Sequence, residues 1–170
     1  MAYIVVSPVS KLEAQIALHQ PSHIVTLSSH PLPALPGEAE RLSLLFNDIT
    51  EPRDGLTMPN EGHVRALLVF ASKWGHGDRA KPLLIHCYAG VSRSTASAYI
   101  IALALDPNLD ETALAQKLRE LSPSATPNIQ LISLADDMLG RDGRMVAAIK
   151  AIGRGQEAFE GEVFSLPLAD

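Results

Sequence analysis

The sequence has very little cysteine and few aromatic residues. Its 170 residues include one cysteine, Cys87, and only 5% phenylalanine, tryptophan and tyrosine. A single cysteine excludes an internal disulfide and a cysteine-rich metal site. It also leaves Cys87 without a second thiol in the chain that could protect it on oxidation. Because aromatic residues are scarce, the 46% hydrophobic residues predict a mainly aliphatic core.

The chain also lacks a basic excess and long apolar runs. Its net charge is −5, which argues against nucleic acid or an anionic membrane as its main partner. No apolar run is long enough to span a bilayer, and the apolar stretch 3–6 is too short for a signal peptide. The six histidines show no metal-ligand spacing. We therefore expect a cytoplasmic protein with no nucleic-acid partner, no membrane partner, no metal and no other cofactor, whose oligomeric state the sequence leaves undetermined.

Apolar patterns alternate along the chain between the period of a strand and that of a helix. They predict strands over 2–6, 24–27, 42–46 and 82–85, and helices over about 9–19, 60–74, 95–105, 111–121, 128–139 and 144–152. This alternation is typical of an α/β domain. We expect one domain over residues 1–153 and a loosely held tail over 154–170, although Val163, Phe164 and Leu166 could pack back on the domain.

The most informative stretch runs from His86 to Ser94, with Cys87 followed after five residues by Arg93. A short apolar strand precedes it, and an alanine-rich helix that is apolar on nearly every face follows. In such a unit the loop amides and the helix dipole point at an anion. The sequence therefore predicts a phosphate-binding loop that contains the only cysteine.

Each residue type in this stretch has a chemical reason to be there. A thiolate is a good nucleophile for a phosphomonoester, and amides, a helix N-terminus or an arginine favour the thiolate form. Cys87 is the expected nucleophile, and the guanidinium of Arg93 can grip two phosphate oxygens. Gly90 lets the backbone approach the anion. The Ser94 hydroxyl can stabilise the sulfur as it leaves during hydrolysis.

The segment Ala89-Gly90-Val91-Ser92-Arg93-Ser94 resembles the active-site loop of cysteine-dependent phosphatases, in particular their dual-specificity branch. The resemblance implies one α/β domain, over 1–153, with a central mixed sheet of four to five strands and helices on both faces. It also implies that the loop residues bind substrate (Tyr88, Ala89, Gly90, Val91, Ser92 and Arg93) and that His86 supports the loop. Asn128 either braces this loop or is a plain helix N-cap.

A general acid must protonate the leaving group, and two aspartates upstream of the loop are candidates. In the resembling family the acid follows a strand, and Asp48 directly follows the predicted strand 42–46. Asp54 has the more typical sequence distance to Cys87, but it lies in an Arg-Asp-Gly turn that turn chemistry alone explains. We favour Asp48.

The resemblance implies hydrolysis of phosphomonoesters, with phosphotyrosine in proteins as the expected substrate, and phosphoserine or phosphothreonine as further substrates, through a phosphocysteine. Phosphoinositide-selective relatives usually carry a lysine among the variable loop residues, and Tyr88, Ala89, Val91 and Ser92 include none. The alternatives are a phosphoinositide or small-molecule phosphatase, and a phosphate-binding module without turnover.

Overall fold

The computed structural model describes residues 1–169. Its elements follow one another as β1 (Tyr3–Pro8), α1 (Leu12–His19), β2 (His23–Ser28), β3 (Glu40–Leu45), α2 (Glu61–Gly75), β4 (Leu83–Cys87), α3 (Arg93–Leu105), α4 (Glu111–Leu121), α5 (Ile129–Leu139), α6 (Arg144–Ile152) and β5 (Phe164–Pro167). A single 3₁₀ turn, Val9–Lys11, joins β1 to α1.

The strands form one mixed sheet in the order β3-β2-β4-β1-β5. Neighbouring strands are parallel except at the edge, where β5 runs antiparallel to β1. Parallel neighbours need a crossover connection. Helix α1 lies between β1 and β2 and helix α2 between β3 and β4, whereas residues 29–39 join β2 to β3 without a helix. The predicted α/β class, with a mixed sheet of up to five strands, is confirmed.

Side chains of the central strands alternate between the two faces of the sheet. Ile4 and Val6 belong to the large core beneath α2 to α6, whereas Val5 belongs to a smaller cluster with Leu12 and Ile16 of α1. Helix α3 lies inside the large core, where every residue from Arg93 to Leu103 is buried. This burial explains why its sequence is apolar on almost every face.

The prediction of a loosely held tail over 154–170 is wrong for Phe164–Pro167, which form strand β5. Phe164 and Leu166 are buried, while Ser165 and Pro167 between them are exposed. A strand of four residues offers only two apolar positions, too few for an alternation to be recognised from sequence. Asp170 lies outside the described residues.

The remaining differences are shifts of element ends. Helix α1 begins only at Leu12, after the 3₁₀ turn, and β3 covers 40–45 rather than 42–46. Strand β4 runs on to Cys87 instead of ending at residue 85. This extension matters most, because it places Cys87 at the carboxyl end of a central strand. Over residues 1–169, no helix combines the length and apolar character needed to cross a bilayer.

Candidate active site

The predicted phosphate-binding loop joins the carboxyl end of β4 to the start of α3. Pro8 of the neighbouring parallel strand is in register with Cys87, so both strands end at the same edge of the sheet. Ligands of open α/β sheets bind at this edge. Gly90 has a φ of +68°, and a Cβ there would lie 2.8 Å from the Pro8 nitrogen. The close approach of the two backbones therefore requires glycine.

The sulfur of Cys87 is buried among hydrogen-bonding groups. The thiol donates to Ser94 Oγ over 3.1 Å, and the backbone N–H of Gly90 donates to Sγ over 3.3 Å. If the thiol ionises, the Ser94 hydroxyl can turn its hydrogen toward the sulfur, since a hydroxyl both donates and accepts. The site can thus supply two donors to a thiolate.

Most carbonyl groups of the loop point away from its centre and accept hydrogen bonds from backbone amides elsewhere. Those of Tyr88, Ala89, Val91 and Ser92 accept from Val9 (3.1 Å), Gly161 (2.7 Å), Thr126 (2.9 Å) and Asn128 (3.2 Å), respectively. In a trans peptide the N–H points opposite to the carbonyl. The amides that follow these carbonyls are therefore turned inward, as an oxyanion site requires.

Arg93 is buried at the start of α3. Its Nη1 donates to the Phe46 carbonyl over 2.8 Å and to Ser29 Oγ over 3.1 Å. Neither Nε nor Nη2 has a protein hydrogen-bond partner within residues 1–169. Arg93 and Cys87 line one cavity of 290 Å³, together with apolar Val9 and Leu32. The cavity therefore combines a thiol, a cation and an apolar wall.

Asp48 lies at the rim of the loop, beyond the end of β3. Its Oδ1 accepts from Ser92 Oγ over 2.7 Å and from Asn128 Nδ2 over 2.8 Å. Asp54 is exposed in the turn that the Leu56 amide closes by donating to the Arg53 carbonyl. Of the two aspartates, the structure brings only Asp48 into contact with the loop.

Asn128 contacts the start of α5, the loop and Asp48. Its Oδ1 accepts from the amide of Leu131, which caps α5, while its Nδ2 donates to Asp48 and its backbone amide to the Ser92 carbonyl. The cap fixes the side chain in the orientation that reaches Asp48. One residue thereby connects the start of α5, the loop and the candidate acid.

His86 is fully buried on β4, directly before Cys87. Its Nε2 lies 2.7 Å from Thr26 Oγ1, which accepts a hydrogen bond from Arg41 Nε over 2.9 Å. Burial, reinforced by the positive charge of Arg41, lowers the pKa of His86 to about 4. The imidazole is therefore neutral near pH 7, and its full burial leaves it no surface on which to contact a substrate.

A wider groove of 1020 Å³ begins at Asp48 and Ser92 and leads away from the loop. It passes Pro127 and Lys150 in the last turn of α6, and it reaches the segment after α6, where Arg154 and Phe159 line it. Phe159 is 83% exposed, which is unusual for so large an apolar side chain. The groove offers an open surface beside the candidate acid for whatever carries the phosphate.

Solved structures of dual-specificity phosphatases have a similar fold. DUSP15 matches with a TM-score of 0.63 and 18% identity, over 87% of this chain and 90% of its own. Human DUSP28 matches with a TM-score of 0.62 and 18% identity, over 81% and 92%. The chain has the dual-specificity phosphatase fold. PTPMT1, solved in complex with PI(5)P, is also similar, with a TM-score of 0.61 and 12% identity over 89% of this chain and 99% of its own.

The sequence comparisons add no closer assignment, because no family model and no curated protein matches the chain. Within residues 1–169, no group of three or more histidine, cysteine, aspartate or glutamate side chains could hold a metal ion. The assignment of the dual-specificity phosphatase fold is thus based on the similarity of the backbones. The roles proposed for individual residues are based on the geometry of this chain.

Some residues around the site were not predicted from the sequence. Thr26 and Arg41 connect to His86 through side chains on neighbouring parallel strands, and their proximity depends on the strand order. Val9 and Gly161 donate hydrogen bonds to the loop through their backbone amides. Such contacts leave no signal in residue type, apart from the small size of a glycine.

Proposed function

We propose that this protein is a phosphatase that hydrolyses phosphomonoesters through a phosphocysteine at Cys87. The observation that carries the proposal is the sulfur of Cys87 between the Gly90 amide and Ser94 Oγ, in one cavity with Arg93. A buried thiol with hydrogen-bond donors and a fixed cation is suited to attack on an anion.

The reaction takes place in two steps. In the first, the Cys87 sulfur attacks phosphorus in line, Arg93 and the inward amides hold the phosphoryl oxygens, and Asp48 donates a proton to the leaving oxygen. In the second, Asp48 takes a proton from water, the water oxygen attacks phosphorus, and the phosphorus–sulfur bond breaks. Ser94 then donates to the departing thiolate, and inorganic phosphate is released.

The cavity around Cys87 supports phosphotyrosine as the substrate. Its volume is 290 Å³, and its lining includes the apolar residues Val9, Leu27 and Leu32 and the aromatic Tyr88, beside the polar residues 28–30. Apolar and aromatic walls favour an aryl ring over the short polar stem of phosphoserine. The groove past Asp48 then accommodates the flanking polypeptide.

A lipid substrate is the second candidate, and the fold shared with PTPMT1, which was solved with PI(5)P, favours it. Against it, the variable loop residues, Tyr88, Ala89, Val91 and Ser92, carry no cation for further phosphate groups of an inositol ring. We therefore propose a phosphoprotein substrate.

Steady-state phosphate release tests the proposal. The wild type and Cys87→Ser are compared without added metal and with reductant, on p-nitrophenyl phosphate, a phosphotyrosyl peptide, the matching phosphoseryl peptide and vesicles containing PI(5)P. We expect turnover in the wild type alone, with kcat/KM highest for the phosphotyrosyl peptide. Turnover that survives in Cys87→Ser contradicts the mechanism, and a preference for the vesicles contradicts the substrate class. Binding of inorganic phosphate without any turnover would indicate a phosphate-binding module instead.

A further inference from the structure

The peptide unit between Ala89 and Gly90 is hydrogen-bonded on both sides. Its carbonyl accepts from the amide of Gly161 over 2.7 Å, and its N–H donates to Cys87 Sγ over 3.3 Å. Since the carbonyl and the N–H of one peptide point in opposite directions, fixing one fixes the other. The segment between α6 and β5 is therefore connected to the sulfur through a single rigid peptide plane.

Gly161 can make this contact because it has no side chain. It is buried, and a Cβ on it would lie 2.7 Å from the Gly90 carbonyl oxygen and 3.3 Å from Ser124 Oγ. The first distance is to backbone, which cannot turn aside as a flexible side chain can. Any larger residue must displace either this segment or the loop.

Glu160, the residue before Gly161, contacts the 3₁₀ turn that follows β1. Glu160 Oε2 accepts from Ser10 Oγ over 2.6 Å, and Lys11 Nζ lies 4.0 Å from Glu160 Oε1. Ser10 and Lys11 belong to the 3₁₀ turn that starts at Val9, whose amide donates to the Tyr88 carbonyl. The adjacent carbonyls of Tyr88 and Ala89 thus accept hydrogen bonds from the 3₁₀ turn and from the segment before β5. These two segments also contact each other, through Ser10 and Glu160.

We propose that Gly161 is a positioning residue for the nucleophile: it orients the Ala89–Gly90 peptide so that the Gly90 amide donates to the Cys87 sulfur. Without the Gly161 bond this peptide is free to rotate and can present its carbonyl oxygen, rather than its N–H, to the sulfur. Loss of that donor disfavours the thiolate and removes one of the amides aimed at the phosphoryl oxygens. This role extends the proposed function, since it rests on Cys87 as the nucleophile.

The test compares wild type and Gly161→Ala by two measurements. The first is the pH dependence of iodoacetamide alkylation, which reports on Cys87 alone because the chain has no other cysteine. We expect the alkylation midpoint to rise by about one pH unit, the worth of one hydrogen bond to a charged group. The second is kcat on p-nitrophenyl phosphate at about pH 6, which we expect to fall roughly tenfold for the same reason.

Val163→Ala is the matched control, because Val163 lies two residues further on and packs in the smaller apolar cluster. It is expected to lower thermal stability while keeping the wild-type alkylation midpoint. An unchanged midpoint in folded Gly161→Ala overturns the proposal, as does an equal shift in Val163→Ala. If circular dichroism shows that Gly161→Ala does not fold, Ser10→Ala decides: loss of the Glu160 contact must shift the midpoint in the same direction by a smaller amount, and no shift overturns the proposal.

The alkylation measurement needs no turnover. A wild type that is inactive on every phosphomonoester would refute the proposed function, while the effect of Gly161 on the sulfur would still be decided.

Discussion

Asn128 donates a hydrogen bond from Nδ2 to Oδ1 of Asp48 over 2.8 Å, which connects the start of α5 to the segment that follows β3. Ser92 donates to the same oxygen over 2.7 Å. Both bonds converge on one carboxyl oxygen, and within residues 1–169 the other, Oδ2, has no hydrogen-bond partner. Asp48 is therefore held at the loop with an oxygen available for proton transfer.

If Asp48 is the general acid, its replacement must slow reactions with poor leaving groups most. We expect Asp48→Asn to lower kcat on a phosphotyrosyl peptide by roughly 10²-fold or more and to flatten the alkaline limb of the pH–rate profile. The decrease in kcat should be smaller on p-nitrophenyl phosphate, because p-nitrophenolate is a stable anion that needs less protonation to leave. Asp54→Asn is the matched control; if it, rather than Asp48→Asn, flattens the profile, the assignment is wrong.

Ser94 should act mainly in the second step, when the thiolate leaves phosphorus. A hydrogen bond to a charged group is worth about 1.5–3 kcal/mol, so Ser94→Ala is expected to slow hydrolysis of the intermediate about 10- to 100-fold. Stopped-flow measurement should then show a burst of p-nitrophenol followed by slow turnover. The buried Ser97 donates to the Arg93 carbonyl on the same helix, which makes Ser97→Ala a control. No burst in Ser94→Ala, with attack itself slowed, would place Ser94 in the first step instead.

The sequence was most informative where chemistry and local periodicity coincide. The strand and the helix around Cys87 were predicted from their own apolar patterns, independently of the motif in the loop between them. Helices α4 and α6 have the predicted bounds because their apolar positions repeat regularly. Strand β5 was missed because it pairs with β1 across almost the whole chain and is only four residues long. The contact of Gly161 with Ala89 was equally out of reach, since a backbone hydrogen bond depends on the path of the chain and not on residue type.

Burial of His86 makes stability depend on pH. Its pKa is about 4 in the folded protein and about 6.5 in the unfolded chain, so the unfolded chain takes up the proton first as the pH falls. The contribution to stability is complete above about pH 6.5 and is lost as the pH falls to about 4, up to about 3 kcal/mol. The free energy of unfolding, measured with urea between about pH 6.5 and pH 4, should fall in the wild type. It should fall equally in the control His76→Asn, which changes an exposed histidine. The same slope in His86→Asn would show that His86 is not its source.

Phe159 should contribute to binding of the polypeptide and not to chemistry. It is 83% exposed and lines the groove that begins at Asp48. An aromatic contact is worth about 1 kcal/mol, so Phe159→Ala should raise KM for a phosphotyrosyl peptide about fivefold. Kinetics on p-nitrophenyl phosphate should not change, because that substrate does not reach the groove. Leu18→Ala, which changes an exposed residue of α1 away from the groove, is the control. Equal KM values for Phe159→Ala and wild type would refute a role of Phe159 in binding the polypeptide.

The phosphocysteine is the central claim, and its direct detection is the most decisive measurement. Wild type and Ser94→Ala are mixed with p-nitrophenyl phosphate, quenched with acid within milliseconds, digested and analysed by mass spectrometry. The account predicts one phosphoryl group on the peptide that contains Cys87, with more of it in Ser94→Ala. Turnover without a phosphorylated Cys87 peptide in either protein would contradict the account, because water would then attack the substrate directly.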